Sequence, residues 1–453
     1  MRDKFVIAVC LALIGIGMLT VAFPEGASAI LIVLALSPAA IFTFRRFTSE
    51  KDFVTTIFLA ALVVRLLLGT FIHVLDAREF FGADATTYDF LGWRLAEYWN
   101  GNAGLEDPMV RRALATEGPG WGMYYITAAI YYVFGKNIFA AQSFCAVFGA
   151  ATAPMVYFCA VTVVANKKVA KIAALFVTFF PAMVLWSSQL MKDGLVIFLL
   201  VLAMTMVLRL HAKFNLPALL VLIFALFGIF SLRFYIFYMV TAAVVGSFVV
   251  GLSGSVPAMA RRTAVLIIVG IGLTYLGVIR NATVDLERFG TIEQLQASRA
   301  DLAQSAESGF FEDVDISTTE GAVTVLPIGF LYLMFAPFPW EMNNFRQAIT
   351  LPEVFVWWAL MPLLVSGLLF SLRHRLRAAM PVLLFTLMLT IAYSLFQGNV
   401  GTAYRQRTQI QVFLFIFVSV GWVLYREKRE NRKLERAATE QRIERALKQR
   451  RMV

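Results

Sequence analysis

The stretch that decides the fold is FVTTIFLAALVVRLLLGTFIHVL at residues 53–75, followed five residues later by FGADATTYDFLGWRLAEYW at residues 81–99. The first segment is long enough to cross a hydrocarbon core of about 30 Å. The second carries Asp84, Asp89 and Glu97 beside a row of aromatic side chains. Carboxylates at the exit of a membrane helix are expensive and mark functional sites. The two segments together therefore predict a membrane helix that leads into a site.

The composition extends this prediction to the whole chain. Its 453 residues are 60% hydrophobic and 15% charged, whereas soluble domains average about 45–50% apolar and about 25% charged residues. Apolar runs of about 20 residues recur from end to end, each long enough to span a bilayer. We therefore expect an all-α, polytopic integral membrane protein.

Charge placement predicts the topology. Basic clusters, among them Arg45-Arg46 and Arg261-Arg262, fall on one side of the membrane if the N-terminus is cytoplasmic, in agreement with the positive-inside rule. Both termini are then cytoplasmic and the protein is a multi-pass protein of a bacterial inner membrane. The twelve predicted spans are residues 4–23, 27–44, 53–75, 138–163, 169–188, 191–210, 214–231, 234–252, 263–279, 352–371, 378–396 and 409–425.

Three parts follow from this topology. Residues 1–52 form an N-terminal transmembrane hairpin and residues 53–425 form the main transmembrane domain. Residues 426–453 are a basic cytoplasmic helical tail, with eleven Lys and Arg against five Glu. In a membrane protein such a tail indicates contact with anionic lipid, and no nucleic-acid partner is expected.

Two long loops lie on the outer side in this topology, at residues 76–137 and 280–351. Within the first, the aromatic segment 121–134 is too short to span comfortably and is predicted to be an interfacial helix. Within the second, the apolar segment 322–340 contains three prolines and is predicted to be re-entrant or interfacial.

Basic residues on the outer side and inside the spans are candidate binding residues. Arg65 lies in the middle of a span, where a structural ion pair and a ligand role are both open. Lys192, Arg233, Arg405 and Arg407 fall at the outer ends of apolar segments. Cations converging from different helices make an anion site, since guanidinium groups match phosphate oxygens. Arg280 and Arg346 are weaker candidates.

The acidic residues have alternative roles as well. Asp84 precedes a helical stretch and is either an N-cap or a catalytic base. Asp89 pairs with Arg94 or contributes to binding, and Asp193 pairs with a cation or faces the site. Metal dependence stays open: these three aspartates offer oxygen ligands to a divalent cation, but no spacing demands one. No other cofactor is indicated.

The run RLLLG followed by GADATTYDFLG resembles the first helix and first outer loop of the GT-C superfamily of membrane glycosyltransferases, in the branch of protein O-mannosyltransferases and lipid A aminoarabinose transferases. Further similar segments are GWGMYYITAAIYYVFGKNIFAAQSFCAVFGAATAPMVYF and AALFVTFFPAMVLWSSQLMKDGLVIFLLVLAM, so the resemblance covers roughly residues 53–250. It implies that Asp84 is the catalytic carboxylate and that Tyr88 belongs to the same motif.

The resemblance implies transfer of a sugar from a polyprenyl-phosphate donor to an acceptor hydroxyl, with inversion at the anomeric carbon. Substrate-binding residues would be Tyr88, Asp89, Lys192, Asp193, Arg233, Arg405, Arg407 and Arg65. The acceptor, whether glycan, lipid or protein, stays open, because the chain has two apolar spans before the motif and lacks a His-Pro-Pro sequence. The alternatives are a polymerase or ligase of lipid-linked oligosaccharides and, less favoured, a transporter or flippase.

Overall fold

A computed structural model describes residues 2–82, 84–116, 120–250, 256–278, 296–297, 299–300, 309, 318–342 and 344–451. Helices make up most of these residues. In chain order they are α1 (Arg2–Val21), α2 (Glu25–Arg46), α3 (Lys51–Val74), α4 (Arg78–Phe81), α5 (Asp84–Trp99), α6 (Pro108–Leu114), α7 (Trp121–Phe134), α8 (Ile138–Val164), α9 (Lys167–Phe179), α10 (Pro181–Ser187), α11 (Lys192–Ala212), α12 (Leu216–Leu232), α13 (Phe234–Val250), α14 (Val256–Tyr275), α15 (Thr319–Phe335), α16 (Phe345–His374), α17 (Leu376–Phe396) and α18 (Val400–Arg451).

Seven of these helices, α2, α3, α8, α11, α16, α17 and α18, are long and apolar enough to cross a membrane. The pair α9 and α10, bent by 56°, makes an eighth if it is one span. Helices α1, α12, α13 and α15 contain shorter apolar stretches. The all-α, polytopic membrane fold is thereby confirmed, while the twelve-span topology and its orientation stay predictions.

Several helix starts are fixed by asparagine caps. The side chains of Asn137, Asn166, Asn215 and Asn344 each accept a hydrogen bond from a backbone N–H in the first turn of α8, α9, α12 and α16, respectively. Such caps satisfy donors that have no partner inside the helix. Each of these four helices therefore begins at a residue that the sequence specifies.

Helix α8 packs against α2, α3, α9 and α11. Helices α16 and α18 cross very closely. A Cβ on Gly367 would lie 1.8 Å from the Phe417 carbonyl oxygen, and one on Gly421 would lie 2.0 Å from the Leu363 carbonyl oxygen. Glycine at these two positions therefore allows the backbones of α16 and α18 to touch.

The outer segments form helices of their own. Residues 121–134 are helical as α7, which packs on α5 and on α12. In the predicted segment 322–340, α15 runs without interruption through Pro327 and ends at Phe335, just before Pro337. Its re-entrant or interfacial position stays a prediction. A proline inside a membrane helix is tolerated where neighbouring groups compensate for the freed carbonyl. Arg280 lies outside the described residues.

Candidate active site

Four charged side chains, which we call the charged quartet, meet although they are far apart in sequence: Asp84, Asp193, Arg233 and Arg405. The Arg405 Nη1 atom donates to Asp84 Oδ2 at 2.8 Å, and its Nε atom donates to Asp193 Oδ2 at 2.7 Å. Arg233 Nη2 donates to Asp193 Oδ1 at 2.6 Å. Asp193 thus joins both arginines, and Arg405 joins both aspartates.

The helices explain this meeting. Asp84 is the first residue of α5 and Asp193 is the second residue of α11, where an acidic side chain interacts favourably with the helix dipole. Arg233 lies between α12 and α13, and Arg405 lies near the start of α18. The guanidinium of Arg405 also lies 5.4 Å from the centre of the Trp186 ring, which α10 supplies. Breaks and ends of helices therefore build the site.

Exposure separates the two carboxylates. The side chain of Asp193 is fully buried, whereas that of Asp84 is 48% exposed. Asp193, with both its oxygens bound to arginines, is suited to hold Arg233 and Arg405 in place. Among the described residues one arginine, Arg405, binds Asp84, which also has access to solvent, so Asp84 is the carboxylate that can meet a substrate.

A cavity of about 540 Å³ opens beside Arg405. Its wall combines aromatic, amide and basic side chains, a mixture typical of ligand sites. Arg346, a weaker candidate from the sequence, lines it, and its guanidinium lies 5.1 Å from the Phe80 ring centre. The polar and aromatic lining residues include Phe80, Phe81, Trp186, Asn344, Arg346, Gln347, Asn399, Thr402, Tyr404 and Arg405.

Lys192 and Tyr88 lie next to the charged quartet. The Lys192 ammonium is 5.8 Å from the Tyr88 ring centre and makes no ion pair with any carboxylate in the described part of the chain. Burial, followed by the charge of Asp84, raises the pKa of the Tyr88 hydroxyl, so it stays a neutral donor. Gly120 has φ +87°, and a Cβ there would lie 3.0 Å from Lys192 Nζ.

Asp89 lies apart from the charged quartet. It accepts a hydrogen bond from the Tyr131 hydroxyl at 2.5 Å and lies 3.6 Å from Lys136 Nζ. Its predicted partner Arg94 is bound to Asp107 instead. Asp89 therefore joins α5 to α7, and the structure does not bring it to Asp84.

Arg65 is 1% exposed and binds backbone carbonyls at the break between α9 and α10. It donates to the Val177 carbonyl at 3.1 Å, the Thr178 carbonyl at 3.3 Å and the Ser187 hydroxyl at 2.8 Å. Pro181 has no N–H with which to serve the Val177 carbonyl, so Arg65 takes the place of the missing helical donor. These contacts give Arg65 a structural role. The ion pair that was one of the two alternatives for Arg65 is not among its described contacts.

Arg407 has a similar position at the end of α15. It is fully buried and donates to the carbonyls of Met334 at 3.0 Å and Ala336 at 2.8 Å. Trp357 also donates to the Met334 carbonyl, at 2.8 Å. Pro337 follows directly, so these carbonyls again lie where a proline ends a helix. The described hydrogen bonds of Arg407 thus go to the end of α15 and not to the charged quartet.

No group of three or more His, Cys, Asp or Glu side chains that could hold a metal ion occurs in the searched, described residues. Of the three aspartates considered as oxygen ligands, Asp84 and Asp193 share Arg405, and Asp89 is elsewhere. In the charged quartet it is arginines that face these two carboxylates.

Sequence reasoning missed the residues that support Arg405. Trp186 lies against its guanidinium, Tyr404 lines the cavity, and Glu353 accepts hydrogen bonds from Tyr404 and from α10. The sequence could have identified Glu353, since it is a carboxylate in the apolar segment 352–371 and ionisable residues in membrane segments usually have a functional role. Trp186 and Tyr404 had none, because aromatic residues are common throughout the chain.

Comparison with known families gives a match over residues 106–253, about a third of the chain, to the family described as dolichyl-phosphate-mannose-protein mannosyltransferase. The matched part contains Lys192, Asp193 and Arg233. No curated protein and no solved structure matches the chain significantly. The matched family is a GT-C family. This match supports a membrane glycosyltransferase of the GT-C superfamily that uses a polyprenyl-phosphate sugar donor.

Proposed function

We propose that this protein transfers a sugar from a polyprenyl-phosphate donor to an acceptor hydroxyl at the periplasmic or outer face of a bacterial inner membrane, in the synthesis of a cell-envelope polysaccharide or glycoconjugate. One observation carries the proposal: the half-exposed carboxylate of Asp84 lies 2.8 Å from Arg405, which lines a cavity of about 540 Å³. A carboxylate can accept the proton of a hydroxyl, and a guanidinium can bind a phosphate.

The reaction assigns one task to each group. Asp84 accepts the proton of the acceptor hydroxyl as the oxygen attacks the anomeric carbon of the sugar. The bond between that carbon and the phosphate oxygen breaks, and the polyprenyl phosphate leaves with the electron pair. Arg405 and Lys192 stabilise the negative charge that develops on the leaving phosphate. The resemblance to GT-C enzymes implies inversion at the anomeric carbon.

The charge of the site can be compared with the charge of the two kinds of donor. The charged quartet is neutral, because its two arginines balance its two aspartates. Lys192 adds one positive charge beside it. A sugar phosphodiester carries one negative charge, and a pyrophosphate-linked sugar carries two. Arg346 on the cavity wall adds a second positive charge, so the charge of the site fits either donor, and the transferase is favoured by the matched family, whose description names a phosphate-linked mannose.

The orientation rests on the predicted topology. Asp84, Lys192 and Arg405 follow or precede apolar segments on the side opposite to the basic clusters, which is the periplasmic side if both termini are cytoplasmic. For the acceptor, the description of the matched family names a protein and a mannose donor. A protein hydroxyl is therefore the first acceptor to test, before glycan and lipid acceptors.

The test is sugar transfer by the purified protein from a panel of radiolabelled undecaprenyl- and decaprenyl-phosphate sugars. Asp84→Asn is expected to lower kcat by about 10²–10⁴-fold, the usual contribution of a general base, while donor binding persists. Arg405→Ala is expected to weaken donor binding as well. Asp89→Asn, five residues further along α5 and outside the charged quartet, is the matched control and is expected to stay active.

Two results would refute the proposal. Full activity of Asp84→Asn would remove that carboxylate from the reaction. Reaction with pyrophosphate-linked oligosaccharides only would make the protein a polymerase or ligase. Proteoliposomes that carry the acceptor on one side only give the face of the membrane at which transfer occurs.

A further inference from the structure

Glu353 is a buried carboxylate that the proposed reaction does not use. It lies in the membrane helix α16 and is 4% exposed. Its Oε2 atom accepts two hydrogen bonds, from the Ala182 backbone N–H at 2.7 Å and from the Tyr404 hydroxyl at 2.7 Å. Its Oε1 atom is buried and has no hydrogen-bond partner among the described residues. Burying a carboxylate in this way is costly, and the positive charge of Arg407 offsets part of the cost.

The two partners of Glu353 belong to the two elements that hold Arg405. Tyr404 directly precedes Arg405 in α18 and lines the cavity. Ala182 is in α10, four residues before Trp186, and residues four apart lie on the same side of a helix. Trp186 in turn packs against the Arg405 guanidinium at 5.4 Å. One oxygen of Glu353 is thus hydrogen-bonded to both elements that position Arg405, to α18 through Tyr404 and to α10 through Ala182.

The break at Pro181 makes this connection available. In an unbroken helix the Ala182 N–H would bind the Thr178 carbonyl. Here Arg65 serves that carbonyl, and the Ala182 N–H is free to bind Glu353. The hydrogen bond fixes the first turn of α10 to α16, and with it the direction in which α10 presents Trp186.

We propose that Glu353 is a positioning residue of the donor site: by binding Tyr404 and the first turn of α10, it sets the Arg405 guanidinium where the donor phosphate arrives. This role rests on the proposed function of Arg405 as a phosphate ligand. It assigns to Glu353 no contact with either substrate and no proton transfer. What matters is an acceptor oxygen at this point, so the amide of glutamine can replace the carboxylate.

The experiment compares Glu353→Leu, Glu353→Gln and Tyr404→Phe in steady-state transfer with the purified full-length protein in nanodiscs. Loss of buried hydrogen bonds predicts that Glu353→Leu raises the donor KM about tenfold or more, with the acceptor KM unchanged. Glu353→Gln retains the wild-type donor KM, because its carbonyl oxygen accepts both hydrogen bonds. Since Tyr404→Phe removes one of the two, the double variant Glu353→Leu/Tyr404→Phe is less than additive.

Thr386→Val is the matched control for a lost buried hydrogen bond, because Thr386 is 5% exposed in α17 and donates only to carbonyls of its own helix. It is expected to keep the wild-type donor KM. A Glu353→Leu protein that is less stable but has the wild-type donor KM overturns the positioning role. If that variant does not fold, a wild-type donor KM in Tyr404→Phe, or a Glu353→Gln donor KM as high as that of Arg405→Ala, overturns it instead.

Arg405→Ala separates this proposal from the proposed function. A wild-type donor KM in Arg405→Ala refutes the role of Arg405 itself. A raised donor KM in Arg405→Ala, with Glu353→Leu and Tyr404→Phe both like the wild type, leaves the proposed function standing and refutes only the role of Glu353.

Discussion

Replacing Arg65 with methionine tests how a guanidinium is maintained inside the membrane domain. Arg65 donates to the carbonyls of Val177 and Thr178, where α9 ends. Neither carbonyl has a helical partner, because Pro181 has no N–H and the Ala182 N–H binds Glu353. Methionine has a similar length and no donor, so Arg65→Met leaves both acceptors unpaired in the protein interior.

The size of the effect follows from these contacts. An unpaired buried acceptor costs about 1–3 kcal/mol. Two such acceptors predict a loss of about 2–6 kcal/mol, and removal of the buried charge offsets part of it. We therefore expect Arg65→Met to lower the free energy of unfolding by about 2–4 kcal/mol, with little change in the donor KM of the protein that remains folded.

The assay is thermal unfolding in detergent, followed by size-exclusion chromatography of the heated sample, together with the donor KM of the folded fraction. Arg94→Met is the matched control, because Arg94 forms a partly exposed ion pair with Asp107, and such pairs contribute about 0–1 kcal/mol. A wild-type unfolding temperature for Arg65→Met would refute this reasoning. So would a selective rise in its donor KM, which would make Arg65 a ligand.

Four further predictions follow from other contacts. Arg407→Met removes the donor to the carbonyls at the end of α15 and is expected to lower the unfolding free energy by about 2–4 kcal/mol in the same assay. Gly421→Leu places a Cβ 2.0 Å from the Leu363 carbonyl oxygen, so the yield of monodisperse protein should fall sharply on size-exclusion chromatography. Lys192→Met is expected to raise the donor KM about tenfold at an unchanged unfolding temperature, as measured by steady-state kinetics. Hydrogen bonds from Lys171 and Lys167 lower the pKa of Glu50 from its usual 4.5. The ionised Glu50 therefore stabilises the fold above pH 4.5, and this stabilisation is lost as the pH falls through the lowered pKa. Glu50→Gln should remove this acid-side loss when unfolding is measured against pH.

The membrane helices were predictable because a run of about 20 apolar residues is long enough to cross a bilayer as a helix. Each of the twelve apolar segments contains a helix, although residues 169–188 contain two, since averaging over a span conceals the break before Pro181. Pro327, by contrast, lies inside α15, which continues through it without a break. Proline removes one hydrogen bond wherever it stands, and the surrounding tertiary structure decides whether the helix bends.

The members of the charged quartet were predictable and their pairing was not. A charge in an apolar sequence signals that something must offset its burial, but the partner of Asp84 is 321 residues away. The sequence could have predicted that Asp84 and Asp89 point in different directions, because five residues of helix rotate a side chain by about 140°. Glu353 could have been chosen as a candidate from the sequence, as Arg65 was, because both are ionisable residues in a membrane segment.

Arg65 and Arg407 each donate to carbonyls at a helix end where a proline removes the helical donor. A proline at position i cannot donate to the carbonyl at i−4, which is Val177 for Pro181 and Leu333 for Pro337. In both places an arginine from another helix donates to carbonyls at that helix end, and the negative end of the helix dipole favours its charge. Both breaks open onto the same cavity, since Trp186 and Pro337 line it. The two arginines therefore shape the donor site from a distance, by stabilising the broken helices that form its wall.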